Sequence, residues 1–125
     1  MPTGTRILVV DDSDLVREIF VRHLATAGFD VVAVSNGAEG LRVLRDDPSI
    51  GLVLLDFRMP GMNGMEFRQQ QLADPSIAGV PVVIITGSPL DDEERKRLRG
   101  IEPLQKPIQR DELLRIVNRY CSPEG

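Results

Sequence analysis

The chain has no tryptophan, one tyrosine, one cysteine and one histidine. Each scarcity excludes something. Cys121 has no second cysteine to pair with, so no internal disulfide can form, and a reducing, cytoplasmic setting is the expectation. A single histidine, His23, beside an apolar stripe provides no imidazole cluster for zinc; it is assigned to packing or solvent. No apolar run approaches the ~20 residues of a membrane helix, and no charged-then-apolar leader is present, so no membrane partner is expected. A formal net charge of −4 argues against direct nucleic-acid binding and against anionic membrane surfaces. Internal repeats and low-complexity tracts are also missing.

What is there fits one domain. A length of 125 residues is enough for a real core but leaves little room for a second module. A single unit over 1–125 is expected, with its core at about 6–120, loose ends and no output domain. The organising stretch is residues 52–64, Leu-Val-Leu-Leu-Asp-Phe-Arg-Met-Pro-Gly-Met-Asn-Gly. A short aliphatic run bounded by turn residues reads as a strand buried on both faces. Asp56 ends that run, at the strand edge where open α/β sheets bind ligands.

Four more apolar runs flank it. Residues 6–10 end on Asp11 and Asp12, and Ser13 or Asp14 can cap a helix striped by Leu15, Val16, Ile19, Phe20, Leu24 and Ala27. Gly28 closes that helix as a C′ residue. Residues 31–34 form a strand, and Ala38, Leu41 and Leu44 mark a modest helix. Residues 65–73 read as a weakly amphipathic helix, and residues 81–86 as a strand ending on Thr86. Ser88-Pro89 then suggests an N-cap with Pro at N1, opening a helix over 90–99. Its acids precede its bases, which predicts the pairs Asp91–Arg95, Asp92–Lys96 and Glu93–Arg97. A short strand over 101–105 ends at Lys106-Pro107, and Leu113, Leu114, Val117 and Tyr120 stripe a last helix.

Five strands alternating with five helices through short connections predict a parallel sheet with helices on both faces. In such a sheet all carboxyl ends share one edge, so Asp11, Asp12, Asp56, Thr86 and Lys106 converge whatever the strand order. Three carboxylates there repel one another, and one ammonium does not balance them. The donors are all oxygens, so a hard divalent ion such as Mg²⁺ is expected among them.

At this point the chain resembles the receiver domains of two-component response regulators. The resemblance is carried by Val9-Val10-Asp11-Asp12 with Ser13, Asn36-Gly37-Ala38-Glu39, residues 56–64, Ile85-Thr86-Gly87, and Lys106-Pro107, in that order and spacing. It implies a flavodoxin-like (βα)5 fold with strand order 2-1-3-4-5. It also implies a phosphorylation-switched signalling module, not a turnover enzyme, fed by a sensor histidine kinase or a histidine phosphotransfer protein. On that likeness Asp56 is the phosphoacceptor, and Lys106 and Thr86 meet the phosphoryl group. Asp11, Asp12, Asp56 and the backbone carbonyl of Arg58 hold Mg²⁺. The likeness also implies a cis Lys106–Pro107 peptide and places Arg58 and Ser88 beside the path of the hydrolytic water. Arg58 is long enough to shield the acyl phosphate or bond to it, and shielding is the expectation.

Two positions depart from the family pattern. Pro103 stands where an aromatic usually lies three residues before the Lys, and Gly87 stands where Ala is common. A proline has no rotamer to switch, so the sparsely apolar helix over 90–99 is the best candidate transmitter; the alternative is a static, solvated helix with the output on another surface. Two rivals share parts of the pattern. An aspartyl-nucleophile phosphohydrolase of the haloacid-dehalogenase kind needs Asp-x-Asp after the strand, and Asp56 is followed by Phe57-Arg58. A flavin carrier needs a neutral hydroxyl-rich phosphate loop, and residues 11–14 are Asp-Asp-Ser-Asp. A receiver excised from a longer regulator or hybrid kinase is the remaining alternative.

Overall fold

The computed structural model describes residues 5–98 and 103–121. Its elements run β1 (Arg6–Val10), α1 (Asp14–Thr26), β2 (Asp30–Val34), α2 (Gly37–Asp46), β3 (Ile50–Asp56), α3 (Gly64–Leu72), β4 (Val82–Thr86), α4 (Asp92–Leu98), β5 (Leu104–Gln105) and α5 (Arg110–Tyr120). The strands form one parallel sheet, as the alternation of elements predicts, in the order β2-β1-β3-β4-β5 that the resemblance implies. β3 is central, and all seven of its residues are buried.

Period-two alternation divides the core between the two faces of the sheet. Ile7, Val9, Leu52, Leu54, Val83 and Ile85 pack with Phe20 and Leu24 of α1 and Leu113 and Val117 of α5. Leu8, Val10, Val53, Leu55, Val82 and Ile84 pack with Leu41, Leu44, Met65 and Phe67 of α2 and α3 and with Leu90 and Leu98 around α4. Fully burying a Leu or Ile contributes roughly 1.5–3 kcal/mol, so these two layers hold the strand ends in fixed relation.

Capping sets several boundaries. Ser13 accepts from the Val16 amide, and Asn36 accepts from Glu39. Gly28 follows α1 at φ 97°, as expected of a C′ glycine. α3 opens on a full capping box between Asn63 and Glu66. Its amphipathicity is faint in the sequence because one of its buried positions is Gln71, whose amide nitrogen donates to the carbonyls of Ile77 and Val80.

The structure corrects several expectations. Ser88 does not cap α4. Its hydroxyl and backbone are already engaged by Arg58 and Thr86, and Asp91 exchanges capping bonds with Glu94 instead. The helix therefore starts at Asp92, and Arg99 lies outside the described residues. None of the three predicted pairs within α4 forms; among the described residues its ion pair is Glu94 with Arg58. Of the strand expected over 101–105, β5 takes Leu104–Gln105 and leaves Pro103 out, while Ile101 and Glu102 lie outside the described residues. In α1 and α5 the stripes overreach. Leu15 and Tyr120 are 66% and 43% exposed, because one flank of each helix faces away from the sheet.

Candidate functional site

Burial builds this site before any charge is counted. Asp11 directly follows β1, and its amide donates to Val34 O across to β2, which fixes its backbone. Its carboxylate is held at both ends. Oδ1 accepts from the Ser13 amide at 2.9 Å, and Oδ2 accepts from Lys106 Nζ at 3.0 Å. Arg17 adds a bond from Nη1 to the Asp11 carbonyl at 2.7 Å. This role of Arg17 has no sequence signal, since it depends on how the first turn of α1 meets the loop.

Asp56 ends β3 at 4% exposure, yet it is held loosely. Its Oδ1 accepts from the Arg58 amide at 3.4 Å and lies 3.6 Å from Lys106 Nζ. Asp12 is exposed, and one carboxylate oxygen from each of Asp11, Asp12 and Asp56 falls within 4.8 Å of the others. Burial pushes the Asp56 carboxyl up to about 6, and the charge of Asp11 and a hydrogen bond to Asp12 add to the rise. Lys106 and the Arg58 amide oppose it without cancelling it. Three carboxylates against one ammonium leave an excess of negative charge in a partly dry crevice. A donor set of oxygens alone in that state fits a hard divalent cation.

Thr86 ends β4 and is 1% exposed. Its hydroxyl donates to Ser88 O at 2.6 Å and accepts from the Ser88 amide at 3.2 Å, so its hydrogen is directed into the loop. Lys106 follows β5 and is anchored by its amide to Thr86 O at 2.7 Å. The Lys106–Pro107 peptide is cis. The sequence-predicted set therefore converges, with Thr86 beside it and its hydroxyl engaged elsewhere. At Gly87 an added Cβ would meet nothing within 4 Å, so the departure there leaves space unchanged.

Arg58 behaves differently from the expectation of a side chain guarding Asp56. Nε donates to Ser88 Oγ at 2.8 Å, Nη1 to Glu94 Oε2 at 2.9 Å, and Nη2 to Glu94 Oε1 at 3.1 Å and Pro89 O at 3.0 Å. The guanidinium carbon lies 5.2 Å from the Phe57 ring centroid. These partners are 30 to 36 residues away in sequence, so no local pattern reveals them. Beside Lys106 an apolar groove of about 360 Å³ is lined by Val16, Ile19, Phe20, Pro107 and Ile108.

A family model described as "Response regulator receiver domain" matches residues 7–118. Protein PilH of Pseudomonas aeruginosa is 31% identical over 115 residues, covering 90% of this chain and 94% of its own. A response regulator receiver protein from Pseudomonas putida superposes with TM-score 0.85 at 27% identity, covering 95% of this chain and 99% of that one. The receiver domain of sensor histidine kinase PA1611 from Pseudomonas aeruginosa, solved with magnesium coordinated in its active-site cleft, superposes with TM-score 0.81. It is 27% identical and covers 94% of this chain and 97% of its own.

Proposed function

The chain belongs to the response regulator receiver domain family, a phosphorylation-switched signalling module, and on that premise we propose that Asp56 is its phosphoacceptor. The observation that carries this reading is a buried carboxylate at the end of the central strand, flanked by Asp11 and Asp12 and 3.6 Å from Lys106 Nζ. An Asp56 carboxylate oxygen attacks the phosphorus of a phosphohistidine; the P–O bond forms as the P–N bond breaks, and the imidazole leaves. Phosphoryl transfer asks a protein mainly for position and charge neutralisation.

Asp11, Asp12, Asp56 and the Arg58 carbonyl are the proposed holders of Mg²⁺, which when bound supplies positive charge to offset the carboxylates and phosphoryl oxygens. Lys106 already bridges Asp11 and Asp56 and is the proposed cationic partner of a phosphoryl oxygen. Thr86 would give up Ser88 O and donate its hydroxyl to that group. Catalysis on this reading is confined to the domain's own phosphorylation and dephosphorylation.

The donor is a sensor histidine kinase or a histidine phosphotransfer protein, which must bring its imidazole to Asp56. The apolar groove beside Lys106, with Leu15 and Ile19 exposed nearby, suits a helical surface of such a partner. Among the described residues no helix is long and apolar enough to cross a membrane, and a cytoplasmic site of action is part of the proposal.

Incubation with acetyl phosphate, with and without Mg²⁺, tests the acceptor. Labelling should need Mg²⁺, vanish in Asp56→Asn and fall at least tenfold in Asp12→Ala. Labelling of Asp56→Asn at the wild-type rate would falsify the assignment.

A further inference from the structure

We infer that Arg58 couples the state of Asp56 to α4, because this one residue touches both. Its amide donates to Asp56 Oδ1, while its guanidinium binds Glu94 of α4 through two nitrogens and the loop before α4 through Ser88 Oγ and Pro89 O. The same loop holds the Thr86 hydroxyl through Ser88 O. Thr86, Ser88, Arg58 and Glu94 thus form a continuous chain of bonds from the site edge to the helix.

The chain is poised for exchange. A phosphoryl group on Asp56 offers oxygens that compete with Glu94 for the guanidinium and with Ser88 O for the Thr86 hydroxyl. The Arg58–Glu94 pair can lose that competition. Its side chains are 40% and 25% exposed, and ion pairs in that setting are weakly held. Among its described residues, Asp92–Leu98, α4 buries Leu98 alone, so little of that stretch is anchored in the core. Clamped and released arrangements of α4 therefore differ mainly in where Arg58 is bound. The inference rests on Asp56 being the phosphoacceptor. Thermodynamic linkage then makes it reciprocal: weakening the clamp must favour occupancy of Asp56.

Glu94→Gln isolates the effect. A glutamine oxygen can still accept from the Asp91 amide and preserve the cap, while the charge that holds Arg58 is gone. Titration with beryllofluoride in Mg²⁺, read by calorimetry, should show Glu94→Gln binding two- to five-fold more tightly than wild type, the range set by a surface ion pair. Hydrogen exchange over residues 87–98 should be faster in the free variant and change less when beryllofluoride is added. Asp91→Ala serves as the control, breaking the cap while leaving the guanidinium's own acceptors in place; it should speed exchange in α4 with a smaller gain in affinity. Equal or weaker binding by Glu94→Gln, or a gain in Asp91→Ala as large as in Glu94→Gln, overturns the coupling. Wild type that fails to bind beryllofluoride overturns the acceptor assignment itself, and the coupling with it. Normal wild-type binding with no difference in Glu94→Gln leaves the acceptor standing and removes Arg58 alone.

Discussion

At the scale of single residues, Asp56 is a carboxylate that folding places at a disadvantage once it is charged. Its folded value is about 6 against 3.8 for the free group, with burial the main cause. The neutral form is favoured in the fold, so the penalty is absent below the unfolded value, grows as pH rises between them, and is complete above about 6. The difference between those values corresponds to about 3 kcal/mol at most. In metal-free buffer Asp56→Asn should therefore stabilise the protein at pH 7.5 by up to that amount, with the gain shrinking toward zero near pH 4. Urea melts of both proteins at pH 4.5, 6 and 7.5 measure it. A difference that does not vary with pH would show that Asp56 ionises in the fold as freely as in water.

At the scale of elements, the loop that follows Asp56 and carries Arg58 is fixed by how closely α3 approaches β3. A Cβ on Gly64 would lie 2.8 Å from Phe57 Cδ1 and 2.9 Å from Phe57 Cα, and the second of these is backbone that cannot step aside. The Gly64 amide also donates to Phe57 O at 2.8 Å. Alanine is the better helix former, but here overpacking should win and cost about 1–3 kcal/mol. Gly79 is the matched contrast, since an added Cβ there meets nothing within 4 Å. Gly79→Ala should fall within about 0.5 kcal/mol of wild type or stabilise slightly. Thermal melts of the two variants decide it, and a Gly64→Ala protein as stable as Gly79→Ala would show that the β3–α3 loop gives way.

At the scale of the whole molecule, the proposed metal ties stability to site occupancy. Three carboxylates from two separate strand ends meet only when the sheet is assembled, so Mg²⁺ should bind the folded chain and not the unfolded one. Stabilisation then follows RT ln(1 + [Mg²⁺]/Kd), about 2.7 kcal/mol at one hundred times Kd. The melting temperature should climb logarithmically with Mg²⁺ above Kd, and Asp12→Ala should lose most of the climb. A Mg²⁺ response equal in Asp12→Ala and wild type would place the ion elsewhere.

The sequence by itself determined the sheet, the order of its elements and the polar residues at its carboxyl edge. Those are carried by local patterns: β-branched and aliphatic runs of strand length, Gly/Pro/Asn punctuation, and a polar residue at each strand end. In a parallel sheet, convergence of Asp11, Asp12, Asp56, Thr86 and Lys106 follows from topology alone. Tertiary structure decided what the long side chains do. Arg58 reads locally as a guard two residues past the acceptor, yet its guanidinium is drawn to Glu94 and Ser88, brought near by packing of α4 against the sheet. The same contacts moved the start of α4, since a serine engaged by Arg58 and Thr86 is not free to cap. Gln71 was invisible for a like reason: its polar amide is buried because two carbonyls of the following connection come to meet it. Short-range periodicity encodes backbone and core, whereas a flexible charged or amide side chain takes whichever partner the finished fold brings within reach.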